Sequence, residues 1–182
     1  MLKGKKVLEV EHILFQTVYG VIIGFSLTRF SIFEAWGEEL IFYIITLIIA
    51  IDFYFMWYEY YTRYPAKSVK WIFIHLVMAL VICNLFIEIS NPYRYCLLLS
   101  VYWFIDFMWC LRAYNDYRNT LSQKERNMFH YFLLTDIVFT GLFLFISLYG
   151  LFDYEIRRFI LVILWAIIRT IDETTIVRKV WK

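Results

Sequence analysis

The chain has 182 residues, of which 62% are hydrophobic and 22% aromatic, and its formal net charge is +2. Soluble domains contain roughly 45–50% apolar residues, so the excess is expected to be buried in something other than the core of a small water-soluble domain. The nearly balanced charge gives no basis for nucleic-acid binding. Abundant Trp and Tyr are typical of membrane interfaces. The composition therefore predicts an integral membrane protein whose first partner is the lipid bilayer.

Six apolar stretches are long enough to cross a bilayer as helices, which takes roughly 20 residues each. The stretches are continuously apolar rather than alternating, which argues against a β-barrel. Pro65 and Pro92 both fall between stretches, where chain breaks are expected. The sequence predicts an all-α bundle of six transmembrane helices in a single domain over residues 1–182, with spans at about 12–33, 40–60, 70–89, 95–114, 128–149 and 156–176.

The distribution of positive charge predicts the orientation of the helices. The N-terminus, the second and fourth connections and the C-terminal end together carry 14 of the 18 Lys and Arg residues. Because cytoplasmic connections are enriched in Lys and Arg, both termini are expected to be cytoplasmic. The protein is thus predicted to be a multi-pass protein of the cell or cytoplasmic membrane. Its longest cytoplasmic connection is predicted to be a polar loop over residues 115–127.

Two parts of the chain resemble each other at a distance of 54 residues. This shift superposes Ile51-Asp52-Phe53 on Ile105-Asp106-Phe107 and Tyr60 on Tyr114. A parallel repeat of helix pairs would explain the match, and such repeats are common in transporters. Chance similarity between aromatic helices of biased composition is the alternative, and the few identities leave both open.

Several ionisable residues are predicted to lie in the inner half of the membrane. At 1.5 Å of rise per residue, Asp52, Asp106 and Asp136 fall at about the same level. Arg169 lies near that level, and His75 about one turn closer to the cytoplasm. A charge at the centre of a span costs about 2.5–3.5 kcal/mol on insertion scales. The three carboxylates are therefore expected to face the bundle interior, to pair with Arg169, or to line a cavity open to the cytoplasm.

This inner set has two interpretations. The functional one is an inward-facing pocket or ion pathway, in which a desolvated carboxyl that keeps its proton is a candidate proton carrier. The structural one is hydrogen bonding between helices that fixes their packing. Arg169 can also pair with Asp172 or Glu173 within its own helix. His75 can equally be a satisfied hydrogen-bonding residue.

A second polar set is predicted near the external ends of the helices. Asn84 and Glu88 are four residues apart and share one helix face, and Arg29 lies at a similar height. A pair between Arg29 and Glu88 would close the bundle on the outside. Simple snorkelling of these side chains to the interface is the alternative.

Motifs for cofactors and common catalytic centres are absent. The chain has no phosphate-binding loop, no H-E-x-x-H and no G-x-S-x-G elbow. Its three His residues are hard to combine into a metal site. Cys83, Cys96 and Cys110 show no C-x-x-C spacing and are predicted to be packing residues. The sequence therefore predicts no cofactor and no metal, and favours a protein that is not an enzyme.

Three functions follow from these observations. The first is a small transporter or channel, working as a homo-oligomer, with an inward-facing acidic site for a cation, a proton or a cationic substrate. The second is a non-catalytic membrane anchor or effector that docks a cytoplasmic protein partner on residues 115–127. The third is a membrane-embedded enzyme acting on a lipid or prenyl substrate, for which no aspartate-rich motif is present.

Overall fold

The computed structural model describes residue 13 and residues 16–28, 39–65 and 72–149, which are almost entirely helical and contain no strand. The predicted sixth span and both termini lie outside these residues. The helices of the described part are α1 (Gln16–Thr28), α2 (Glu39–Arg63), α3 (Ile72–Ile87), α4 (Pro92–Tyr117) and α5 (Gln123–Tyr149), with a 3₁₀ helix (Glu88–Ser90) after α3.

Three of these helical segments are long and apolar enough to cross a membrane, namely Phe73–Ser90, Pro92–Tyr117 and Gln123–Leu148. They coincide with the predicted third, fourth and fifth spans. Helix α1 (Gln16–Thr28) and the apolar part of α2 (Phe42–Tyr54) are shorter and lie within the predicted first and second spans. At 1.5 Å per residue, α4 and α5 are each about 40 Å long and exceed a hydrocarbon core of about 30 Å. Length and composition thus support association with a membrane.

The surface of the helices fits a lipid environment. Large apolar side chains are exposed along α3 and α5, including Phe73 at 64%, Leu134 at 64% and Leu148 at 69%. Contiguous apolar surface of this kind is unfavourable in water, whereas lipid tails solvate it.

The chain divides into two compact units, Met1–Ser90 and Asn91–Lys182. In the first unit, aromatic residues connect the helices. The Tyr43 hydroxyl on α2 donates a hydrogen bond of 3.1 Å to the backbone oxygen of Ser26 on α1. The Tyr43 ring also contacts the Phe86 ring on α3, with centroids 5.5 Å apart. Tyr19 and Tyr54 form a second contact between α1 and α2 at 4.4 Å.

In the second unit, α4 and α5 form an antiparallel hairpin. Their contacts advance along α4 while they retreat along α5, as antiparallel packing requires. In order along α4, the pairs are Tyr93–Ser147, Ser100–Thr140, Trp103–Phe139 and Tyr114–His130. The α4 members are seven, three and eleven residues apart, which are close to whole numbers of helical turns, so they lie on one helix face. The candidate site lies on this face of α4.

Local sequence signals fix the start of α4. Asn91 has extended backbone angles (φ −119°, ψ 92°), and its side-chain oxygen accepts a hydrogen bond of 3.2 Å from the Arg94 N–H. Pro92 occupies the first helical turn, where its missing N–H costs nothing. Asn91-Pro92 thus separates α4 from the 3₁₀ helix before it.

The connection between α4 and α5 is shorter than the predicted loop over residues 115–127. Helix α4 continues to Tyr117 and α5 begins at Gln123, which leaves a turn of residues 118–122. Ser122 and Glu125 form a capping box: the Ser122 N–H donates to the Glu125 carboxylate at 2.8 Å, and the Glu125 N–H donates to the Ser122 hydroxyl at 3.3 Å. The polar residues assigned to a loop by composition are therefore helix ends, because capping satisfies their backbone groups.

Candidate cation site

Helix α4 presents Asp106 and Cys110 to α5. The two residues are four apart, so they occupy the same face one turn from each other. That face is the one on which Trp103 and Tyr114 contact α5. Asp136 lies on α5 between the partners of these two aromatic residues, Phe139 and His130.

The three side chains converge. A carboxylate oxygen of Asp106, the sulfur of Cys110 and a carboxylate oxygen of Asp136 all lie within 4.8 Å of one another. Asp136 is 1% exposed and Cys110 is 4% exposed, while Asp106 is half-buried. We call Asp106, Cys110 and Asp136 the hairpin cluster.

The electrostatics of the hairpin cluster favour a cation. Asp106 and Asp136 lie near the middle of helices that are long and apolar enough to span a membrane. A single uncompensated charge at such a position costs about 2.5–3.5 kcal/mol or more. Two neighbouring carboxylates add mutual repulsion, which a low dielectric strengthens. A proton or another cation held between them would offset both terms.

A buried hydroxyl accompanies the cluster. Four other threonines in the described helices bond back to the carbonyl four residues earlier at 2.8–2.9 Å: Thr17, Thr28, Thr46 and Thr135. Thr140 departs from this pattern. Its Oγ1 is buried and has no hydrogen-bond partner within the described chain. Thr140 lies one turn beyond Asp136 on α5, on the same face.

A charge pair lies further along α4. The Arg112 Nε is 2.9 Å from a carboxylate oxygen of Asp116, four residues on. The Arg112 side chain is only 3% exposed, whereas that of Asp116 is 28% exposed. Arg112 is therefore enclosed and paired within its helix, rather than extended to the interface as an isolated anchor.

The remaining inner residues fall in different parts of the chain. Asp52 is half-buried on α2 and His75 is buried on α3, both in the first unit. Arg169 lies outside the described residues. The convergence seen within the second unit concerns Asp106 and Asp136, and the participation of Asp52, His75 and Arg169 in one site stays a prediction.

The predicted outer set is described in part. Asn84 is exposed on α3, and its Nδ2 donates a hydrogen bond of 2.8 Å to the Leu80 backbone oxygen. Glu88 is half-buried and opens the 3₁₀ helix after α3. Arg29 lies outside the described residues, so its pairing with Glu88 stays a prediction.

Sequence reasoning did not associate Cys110 and Thr140 with the site. The absence of C-x-x-C spacing predicts a packing role for Cys110, and threonine is common in apolar helices. The four-residue spacing between Asp106 and Cys110 is the signal that could have identified the thiol. The position of Thr140 depends on how α5 pairs with α4, for which the sequence offers no equivalent signal.

Comparison of the chain with protein-family models, with curated proteins and with solved structures gives no match. The chemistry of the hairpin cluster itself is therefore the guide to function. Two carboxylates and a thiol are cation ligands, and their burial restricts the occupant to a small species. The cluster can hold a proton or a metal ion.

Proposed function

We propose that this protein is a small multi-pass membrane transporter or channel, with Asp106 and Asp136 at the centre of its cation site. The observation that supports this function is the approach of two carboxylates from neighbouring helices, in the middle of two helices that are long and apolar enough to span a membrane. Ionisable groups at membrane depth are costly and usually mark ion or substrate pathways. The cation is a proton, a metal ion or a cationic substrate.

The wider proposal concerns the whole bundle. Six helices cross the membrane with both termini in the cytoplasm, as the distribution of Lys and Arg indicates. From the sequence we expect Asp52 and His75 to contribute to the inward-facing site and Arg169 to balance its charge. Arg29, Asn84 and Glu88 close the outer end. A protein of this size works as a homo-oligomer.

Ion flux in liposomes tests the proposed function. Asp106→Asn and Asp136→Asn keep the side-chain size and remove the charge, and each is expected to reduce flux at least about 10-fold, because a charge-assisted contact contributes about 1.5–3 kcal/mol. Glu125→Gln is the matched control: it neutralises a carboxylate on α5 while it retains the capping box. Its flux is expected to equal that of the wild type.

The measurement should cover H⁺, Na⁺, K⁺ and divalent ions separately. Flux that is unchanged in both Asp variants would exclude the site, and wild-type liposomes that pass none of these ions would exclude cation transport.

Docking of a cytoplasmic partner is the second candidate. Arg118, Asn119 and Thr120 in the turn, and Lys124 at the start of α5, are exposed and form a compact polar surface. If the protein docks such a partner, substitution of these residues with Ala abolishes binding of the partner. Ion flux is then either unchanged by the Ala substitutions or absent from the wild type as well. Loss of flux in the Asp variants alone would favour transport.

A further inference from the structure

The ligand types in the hairpin cluster discriminate between cations. Hard ions such as Ca²⁺ and Mg²⁺ bind six or more oxygen ligands, or keep much of their water shell. A thiolate is a soft ligand and favours Zn²⁺ and related transition metals. Zn²⁺ is commonly held by three protein ligands plus a water molecule in sites that exchange ligands. One sulfur and two carboxylates fit that set, and with Cys110 as a thiolate their charge exceeds that of a divalent ion by one.

The dimensions of the hairpin cluster suit such an ion. Zn²⁺ binds sulfur at about 2.3 Å and carboxylate oxygen at about 2.0–2.2 Å. The three ligand atoms all lie within 4.8 Å of one another, which is about twice these ion–ligand distances. Asp136 and Cys110 are both more than nine-tenths buried, so few water molecules can compete for the ion.

A second observation comes from Thr140. In apolar helices a threonine hydroxyl normally bonds back to its own helix, as four others in the described chain do. The buried Thr140 Oγ1 makes no such bond. A buried hydroxyl in this state has hydrogen-bonding capacity that a water molecule can satisfy. Thr140 lies four residues from Asp136, one turn away on the same face of α5.

We propose that Asp106, Cys110 and Asp136 bind a divalent transition-metal ion of the Zn²⁺ class, with the Thr140 hydroxyl supporting the water that completes its coordination. This inference rests on the proposed function and names its cation. The metal passes between the membrane faces by way of the hairpin cluster.

Metal binding to the full-length protein in lipid nanodiscs tests the inference. Zn²⁺ is expected to bind at one site per chain, more tightly than Ca²⁺ or Mg²⁺. Cys110→Ser is expected to weaken Zn²⁺ binding more than about 100-fold, beyond the 10–100-fold range of outer-shell changes. Thr140→Val is expected to weaken it about 10-fold. Cys96→Ala, a buried cysteine of the same helix, is the matched control and should bind as the wild type does.

Co²⁺ supplies a readout that does not depend on transport. Bound Co²⁺ is expected to show thiolate-to-metal charge-transfer absorption in the wild type and in Cys96→Ala, and none in Cys110→Ser. Cys110→Ser that binds Zn²⁺ as tightly as the wild type would overturn the assignment, as would a wild type with no preference for Zn²⁺.

The two proposals fail separately. Zn²⁺ binding that depends on Cys110, without flux of any ion, would overturn transport and support the metal site. Proton or Na⁺ flux that depends on Asp106 and Asp136, without Zn²⁺ binding, would overturn the metal site and support transport.

Discussion

Arg112 is the most deeply enclosed basic side chain in the described part of the chain, and its neighbour Asp116 determines what that burial costs. Removal of one partner from a buried ion pair leaves an uncompensated charge, whereas replacement of both by apolar residues is often neutral. The same reasoning applies to the hairpin cluster, where Asp106 and Asp136 bring two carboxyl groups close together and we propose a bound cation. At the residue scale, the energetic cost of a buried polar group in this protein therefore depends on the group that it is paired with.

This pair gives a prediction about stability. Asp116→Asn is expected to lower the free energy of unfolding by up to about 3 kcal/mol, because it leaves the Arg112 guanidinium enclosed without its carboxylate. The value lies at the low end for buried pairs because Asp116 is 28% exposed. The double variant Arg112→Met with Asp116→Asn is expected to recover most of the loss. Denaturation in detergent micelles measures both, and a double variant no more stable than Asp116→Asn would contradict the explanation.

At the scale of the helix, end signals decide where each element begins. Asn91 caps α4, Pro92 follows it, and Ser122 with Glu125 caps α5. Between them, the turn of residues 118–122 is too short to hold the helices apart, so α4 and α5 pack against each other directly. The capping residues therefore contribute to the register that brings Asp106 opposite Asp136.

The cap of α4 can be tested by substitution. Asn91→Ala is expected to lower stability by about 1 kcal/mol, because the Arg94 N–H loses its side-chain acceptor. Asn91→Asp retains an acceptor and is expected to stay within about 0.5 kcal/mol of the wild type. Thermal unfolding of both variants in the same detergent compares them. Equal losses for Ala and Asp would show that the side-chain oxygen does not cap the helix.

At the scale of the whole molecule, the proposed orientation places the α4–α5 turn in the cytoplasm. Arg118, Lys124 and Arg126 lie in or next to that turn. Because cytoplasmic connections are enriched in Lys and Arg, these residues predict that the turn faces the cytoplasm. In this orientation the proposed inward-facing site would open toward the side on which the turn lies.

Labelling of a single introduced cysteine tests this orientation. Asn119 is exposed in the turn, so Asn119→Cys is expected to react with a membrane-impermeant maleimide in inverted vesicles and to stay unlabelled in intact cells. The unsubstituted protein is the control, since Cys96 and Cys110 are buried and Cys83 is half-buried. Labelling in intact cells would reverse the proposed orientation.

The sequence by itself determined that the described chain is helical and that its third, fourth and fifth apolar stretches are long enough to span a membrane. These conclusions follow from the length of apolar runs and a fixed rise per residue, both local quantities. The tertiary structure decided which side chains meet. Cys110 meets Asp136 only because α4 packs against α5 in one register, and that register depends on contacts between residues far apart in the sequence as well as on the local signals at the turn.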